Sequence, residues 1–233
     1  MRAKVAVVKF PGSNCDLDAV SALRTFRNVE ADLVWHEEPS IGEYDAIVLP
    51  GGFSFGDYLR AGAIAARSPA LKRVTESADH GTPILGICNG FQILIEAGLL
   101  PGSLLRNTSL RFVCKWVTIR VENNSTSFTR GMGKGQVLRI PIAHNEGRFY
   151  TSEKELREMS DGRQAVFRYS DEKGRQTPSA NPTGTLDDIA GVCNKAGNVV
   201  GLMPHPERAT EPILNPFGSA DGSLIFKSML ESI

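Results

Sequence analysis

The chain has 233 residues, a mass of 25.3 kDa, and 26 basic residues against 26 acidic ones. Hydrophobic residues make up 41% of it and charged residues 22%, which is enough for a folded core and excludes a disordered chain. The balanced charge predicts no nucleic-acid partner and no attachment to an anionic membrane. No apolar run approaches the ~20 residues that a membrane-spanning helix needs.

The N-terminal segment and the cysteines together predict a cytoplasmic protein. The apolar run after Arg2 meets Lys9 and Pro11 too early for a signal peptide, so it indicates a first strand. No Cys-x-x-Cys pair occurs, which argues against a metal site and against a disulfide framework. The four thiols are therefore expected to be reduced; they belong to Cys15, Cys88, Cys114 and Cys193.

Strand and helix patterns alternate along the first hundred residues. Short apolar runs predict strands at residues 4–9, 31–35, 45–49 and 82–87. Between them, helical spacing and helix-forming composition predict helices at residues 17–26, 69–79 and 91–97. Strands that alternate with helices in this way predict an α/β fold with a doubly wound, mostly parallel sheet.

After Gly98 the pattern changes to short strands that read as an antiparallel excursion beside the main sheet. They are predicted at residues 112–121, 137–142 and 165–169, followed by a hairpin of 188–193 and 198–203 around Lys195-Ala196-Gly197. The segment 219–222 offers an N-cap for a last helix through Leu230. No linker or internal repeat interrupts the sequence, so residues 1–233 are predicted to form a single domain.

Cys88 is the strongest candidate for a reactive side chain. It ends the fourth predicted strand within Gly86-Ile87-Cys88-Asn89-Gly90, and a nucleophile on a sharp strand-to-helix turn needs small neighbours. The helix that follows would direct its positive N-terminal end at the sulfur and favour the thiolate. The alternative is a buried structural cysteine, although a core strand disfavours flanking glycines.

His205 and Glu207 supply the groups that such a thiol requires. Pro204 and Pro206 impose extended backbone on their neighbours, so side chains two positions apart project to the same side. The imidazole could then accept the thiol proton while the carboxylate orients the ring. A surface His–Glu pair in a proline-rich loop is the alternative interpretation.

Two loops complete the candidate site. Residues 50–58 follow the third strand and begin Pro-Gly-Gly, so backbone N–H groups there could approach a ligand as an oxyanion hole requires; a merely flexible loop is the alternative. Ala143-His144-Asn145-Glu146-Gly147-Arg148 is compact and polar. That segment could hold a second base or contact the substrate, but an ordinary turn is the simpler interpretation.

These segments closely resemble the class I, triad-type glutamine amidotransferases, and within that class the glutaminase subunits of purine biosynthesis. The motifs that carry the resemblance are residues 11–16 (PGSNCD), 50–58 (PGGFSFGDY), 86–92 (GICNGFQ), 143–147 (AHNEG) and 203–209 (MPHPERA). The chain departs from the family pattern at Asn145, where Gly is more frequent, and in the long stretch from Glu211 to Phe217.

The resemblance implies a flavodoxin-like fold and a glutaminase that releases glutamate and ammonia through a thioester on Cys88. It implies that His205 is the base and Glu207 its orienting partner, and that the backbone of Gly52 and Asn89 binds the oxyanion. Gln92 would then lie beside the bound glutamine.

The same resemblance implies partners. Ammonia would pass to a synthetase subunit that converts formylglycinamide ribonucleotide to formylglycinamidine ribonucleotide, with a small third subunit in the complex. ATP and Mg²⁺ would be bound by the synthetase, and this chain would carry no cofactor. Three alternatives stay open: another class I amidotransferase subunit, a cysteine peptidase or deglycase-like hydrolase, and a non-catalytic binding module.

Overall fold

A nine-stranded sheet and a separate two-stranded sheet organise the computed structural model, which describes residues 2–38 and 43–233. The strands are β1 Ala3–Lys9, β2 Val29–Trp35, β3 Ala46–Leu49, β4 Ile84–Ile87, β5 Ser103–Leu105, β6 Val113–Val121, β7 Val137–His144, β8 Arg148–Tyr150, β9 Ala165–Tyr169, β10 Ile189–Cys193 and β11 Val199–Leu202. The α-helices are α1 Asp16–Arg24, α2 Pro69–Asp79, α3 Asn89–Glu96, α4 Glu153–Asp161 and α5 Ser223–Leu230.

The large sheet has the order β2-β1-β3-β4-β11-β10-β9-β6-β7. Strands β2, β1, β3, β4 and β11 pair in parallel, and β10, β9, β6 and β7 pair antiparallel. The predicted mixed α/β fold is therefore confirmed. The antiparallel strands extend the same sheet instead of lying beside it, because the β10–β11 hairpin joins the two parts.

The centre of the parallel half is fully apolar. All four residues of β3 and of β4 are buried, as expected for strands covered on both faces. Loops follow the carboxyl ends of β1, β3, β4 and β11, and such ends form the ligand-binding edge of an open α/β sheet. Among the described residues, no helix is long and apolar enough to cross a membrane.

Helix α4 and the start of α5 can be compared with the sequence analysis. Helix α4 was not predicted because Met159 is its only buried residue, although Ser152 accepts a hydrogen bond from the Glu155 N–H at 3.2 Å as a capping serine does. The N-cap of α5 is Gly222, within the predicted segment 219–222. The Asp221 carboxylate makes no capping hydrogen bond and accepts one from the backbone N–H of Arg139 at 2.7 Å.

Candidate active site

Cys88 occupies a strained turn between β4 and α3. Its backbone has φ 51° and ψ −103°, a conformation that residues with a side chain rarely adopt. The N–H of Cys88 donates to the carbonyl of Leu202 in β11 at 2.8 Å, which fixes the turn against the neighbouring strand. The thiol is thereby placed at the N-terminus of α3, where the helix end stabilises negative charge.

The two flanking glycines are required by close packing. A Cβ on Gly90 would lie 2.0 Å from the Leu49 carbonyl oxygen, since the start of α3 rests directly on the end of β3. A Cβ on Gly86 would lie 2.5 Å from Leu94 and 2.8 Å from the Gly90 backbone. The Gly-x-Cys-x-Gly spacing is thus a packing requirement of this turn.

His205 and Glu207 form a buried pair after β11. Nδ1 of His205 lies 2.6 Å from Oε1 of Glu207, and their side chains are 2% and 0% exposed. The backbone N–H of His205 donates to the Pro141 carbonyl at 2.8 Å, which holds the loop against β7. Burial opposes protonation of the ring, but Glu207, Cys88 and Cys15 outweigh it and raise the pKa of His205 well above its ordinary value.

The thiol and the imidazole are not hydrogen-bonded in this structure. Because Nδ1 is engaged by Glu207, the nitrogen available to Cys88 is Nε2, and it has no hydrogen-bond partner among the described residues. The Cys88 sulfur instead lies 3.8 Å from the Ala143 carbonyl. Catalytic hydrogen bonds often become shorter only when substrate is bound, so this geometry is compatible with His205 acting as the base for Cys88.

Gly52 lines the same cavity as Cys88, and Asn89 follows Cys88 directly in the chain. Gly52 lies opposite Ser13 in an isolated antiparallel β-bridge. The hydrogen bonds of this bridge are made by the flanking residues, so the N–H of Gly52 does not take part in it. A Cβ at Gly52 would lie within 2.8 Å of segment 12–14, and its φ of 149° also favours glycine. Asn89 is the first residue of α3, so its N–H has no partner within the helix.

The side chains of Asn89 and Gln92 connect three segments of the site. Oδ1 of Asn89 accepts from the Ser54 N–H at 3.1 Å, and its Nδ2 donates to Gln92 Oε1 at 2.9 Å. Nε2 of Gln92 then donates to the carbonyl of Glu146 at 2.6 Å. Both predicted residues therefore position loops around the cavity, and Gln92 also lines it.

A cavity of about 160 Å³ opens onto the thiol. Asp57, His144 and Glu146 line it. They belong to the two loops that the sequence placed at the candidate site, although none of the three was predicted individually as a site residue. Burial, followed by the charge of Glu146, raises the pKa of Asp57 to about 6. Burial, followed by the charge of His205, lowers the pKa of His144 to about 3, so that imidazole is neutral near pH 7. The remaining lining residues are Gly52, Phe53, Cys88, Gln92, Ala143 and Asn145.

A second thiol lies beside the His–Glu pair. Cys15, His205 and Glu207 each place one potential metal-ligand atom within 4.8 Å of the others, and all three residues are buried. The arrangement does not suit a cation, since Nη2 of Arg208 lies 3.0 Å from the Cys15 sulfur and Glu207 already binds His205. Sequence patterns could not reveal this cluster, because Cys15 and Arg208 are 193 positions apart.

Comparison with known proteins shows the family of the chain. Residues 2–230 match the CobB/CobQ-like glutamine amidotransferase domain. The chain is 55% identical to the phosphoribosylformylglycinamidine synthase subunit PurQ of Aquifex aeolicus, over 97% of this chain and 99% of that one. It is 52% identical to the PurQ subunit of Methanosarcina mazei, over 99% and 98% of the two chains.

Among solved structures, the chain resembles one in the structure of PurLQS from Thermotoga maritima. The TM-score is 0.85 and the sequence identity is 45%, over 99% of each chain. The matched domain covers nearly the whole chain, and its relatives match over nearly their whole length. The protein therefore belongs to the CobB/CobQ-like glutamine amidotransferase family.

Proposed function

We propose that this chain is the glutaminase subunit of a phosphoribosylformylglycinamidine synthase in purine biosynthesis, and that residues 1–233 form one amidotransferase domain. The observation that carries the chemistry is the strained Cys88 turn at the start of α3, facing a cavity beside the buried His205–Glu207 pair. The full-length similarity to subunits of that name supports the pathway.

The reaction proceeds through a thioester. The thiolate of Cys88 attacks the side-chain amide carbon of glutamine, which forms a C–S bond and places negative charge on the amide oxygen. Protonated His205 then donates its proton to the leaving nitrogen, and the C–N bond breaks to release ammonia. Water attacks the thioester with His205 as base, which yields glutamate and restores the Cys88 thiolate.

The surrounding groups have separate roles. The N–H groups of Gly52 and Asn89 donate to the developing oxyanion, and one such donor typically contributes 10²–10³-fold in rate. Glu207 holds the tautomer in which Nε2 faces the thiol, since its carboxylate accepts from Nδ1. Gln92 holds the Glu146 carbonyl and so shapes the wall of the cavity.

Ammonia leaves this chain for a synthetase subunit. That partner binds ATP, Mg²⁺ and formylglycinamide ribonucleotide, and a small third subunit completes the complex. The name of the Thermotoga maritima assembly, PurLQS, supports a complex of this kind. Because a free glutaminase would waste glutamine, the isolated chain has low glutaminase activity and complex formation raises it.

Reconstitution with both partner subunits tests the proposal. In the Cys88→Ala complex, glutamine-dependent synthesis falls at least ~10³-fold because the nucleophile is gone. Synthesis from added ammonium salt persists, since the synthetase is intact. Cys114→Ser, an exposed thiol in β6, is the matched control and retains both activities. Glutamine-dependent synthesis that survives Cys88→Ala would overturn the mechanism, and peptide hydrolysis without glutamine turnover would favour a cysteine peptidase.

A further inference from the structure

Cys15 is a buried thiol beside the catalytic imidazole to which the mechanism above gives no role. It is the N-cap residue of α1 and is only 2% exposed. Its sulfur lies within 4.8 Å of a ring nitrogen of His205 and of a carboxylate oxygen of Glu207. His205 is thus flanked by two thiols, Cys88 and Cys15.

The hydrogen bonds of Cys15 fix the direction of its thiol. The S–H donates to Oδ1 of Asn14 at 3.1 Å, so the thiol proton is engaged by Asn14 and not by the imidazole. The sulfur accepts from Nη2 of Arg208 at 3.0 Å, and Arg208 is itself held by Asp18 at 3.3 Å. With donor and acceptor partners both in place, the sulfur presents electron density to the ring of His205.

Close packing makes this contact obligatory. The Cys15 N–H donates to the carbonyl of Gly51 at 3.2 Å, which ties the start of α1 to the loop after β3. A Cβ on Gly51 would lie 2.7 Å from Cε1 of His205 and 3.1 Å from the Cys15 sulfur. Because Gly51 has no side chain, the Cys15 sulfur and the His205 ring can both pack against its backbone. Gly51 directly precedes Gly52, the proposed oxyanion donor.

We propose that Cys15, held by Arg208, is a positioning residue for His205: it fixes the ring orientation in which Nε2 faces Cys88 and stabilises the protonated imidazole. The inference rests on the proposed function. Glu207 performs part of this task from Nδ1, and Cys15 adds a second constraint on the same ring. A protonated, correctly oriented His205 stabilises the Cys88 thiolate as its ion-pair partner.

Alkylation of Cys88 in the full-length chain by iodoacetamide tests the proposal without requiring turnover. The rate is read by mass spectrometry of the Cys88 peptide at pH 6 and at pH 9. Iodoacetamide reacts with thiolates, and an ordinary thiol is largely ionised at pH 9 but needs a neighbouring positive charge to favour the thiolate at pH 6. We expect Cys15→Ala to lower the pH 6 rate about tenfold and to change the pH 9 rate less than about twofold.

Two further variants separate positioning from packing. Cys15→Ser keeps a donor to Asn14 and an acceptor for Arg208, so it should restore most of the pH 6 rate. Arg208→Gln keeps the Cys15 thiol but removes the guanidinium that holds it, so this variant should also lower the pH 6 rate. It keeps the test decisive if Cys15→Ala folds poorly. Cys114→Ser is the matched control for loss of a thiol and should match the parent protein.

Equal rates in Cys15→Ala and the parent at pH 6 would overturn the proposal. So would equal losses at both pH values, since these indicate disturbed packing, and so would a Ser variant as slow as Ala. Glutaminase activity of the parent complex is measured in parallel. If that activity is absent while the pH 6 effect is present, the proposed function fails and the positioning role stands.

Discussion

Asp57 shows how one side chain can tune the site to its substrate. It lines the Cys88 cavity, its backbone has φ 54°, and its Oδ1 is buried without a hydrogen-bond partner among the described residues. Burial and the nearby Glu146 raise its pKa to about 6. Glu146 lies 3.9 Å from Nε of Arg106, whereas Asp57 has no ion-pair partner among the described residues. The Asp57 carboxylate in this cavity therefore suits the α-ammonium group of a free amino acid.

Glutamine binding should therefore strengthen as Asp57 ionises. In the Cys88→Ala chain, where chemistry is blocked, we expect the Kd for glutamine to fall about tenfold between pH 5 and pH 7. The sign follows from the raised pKa, because below pH 6 the carboxyl is neutral and does not attract the ammonium. Isothermal titration calorimetry measures the change.

Two controls accompany that titration. Asp57→Asn should abolish the pH dependence, whereas Asp161→Asn, an exposed carboxylate in α4, should retain it. Glutaramate, which lacks the α-ammonium, should bind equally at both pH values. A pH-dependent Kd that survives Asp57→Asn would contradict this role for Asp57.

At the scale of elements, the site depends on how closely α3 rests on β3. A Gly90→Ala substitution would place a Cβ 2.0 Å from the Leu49 carbonyl oxygen, and Leu49 is fully buried and cannot move aside. We expect the free energy of unfolding to fall by about 2 kcal/mol or more, and Cys88 alkylation to slow as α3 shifts.

Urea denaturation measures that loss, with Gly133→Ala as the matched control. A Cβ on Gly133 meets nothing within 4 Å, and its φ lies outside the range that favours glycine. The control should therefore change stability by less than about 0.5 kcal/mol. A Gly90→Ala protein as stable as this control would contradict the close contact between α3 and β3.

The elements of the parallel half were predictable because their local signals agree. Strands β3 and β4 are short apolar runs, and glycines occur in the turns that follow them. Helix α4 lacks an apolar stripe, so only the Ser152-x-x-Glu155 capping pattern could have indicated it. The N-cap of α5 lies in the predicted segment, at Gly222, but the hydrogen bond from the Arg139 N–H to Asp221 is a tertiary contact that no local pattern reveals.

At the scale of the whole molecule, the candidate site collects residues from the ends of strands that are distant in sequence. The doubly wound sheet brings the loops after β1, β3, β4 and β11 to one edge. Motifs therefore predicted Cys88, His205 and Glu207, because reactive residue types recur in fixed local patterns. The proposed roles of Cys15 and Asp57 depend on contacts between residues that are far apart in the chain, and local sequence patterns do not reveal such contacts.

Cys88, and not the neighbouring Cys15, is proposed as the nucleophile toward glutamine, and a reactive substrate analogue distinguishes the two thiols. The reconstituted complex is treated with 6-diazo-5-oxo-L-norleucine, a reactive glutamine analogue, and the modified residue is identified by peptide mass spectrometry. We expect a covalent adduct on Cys88 that excess glutamine suppresses, and no adduct in the Cys88→Ala complex. An adduct on Cys15, or glutamine hydrolysis with Cys88 unmodified, would contradict it.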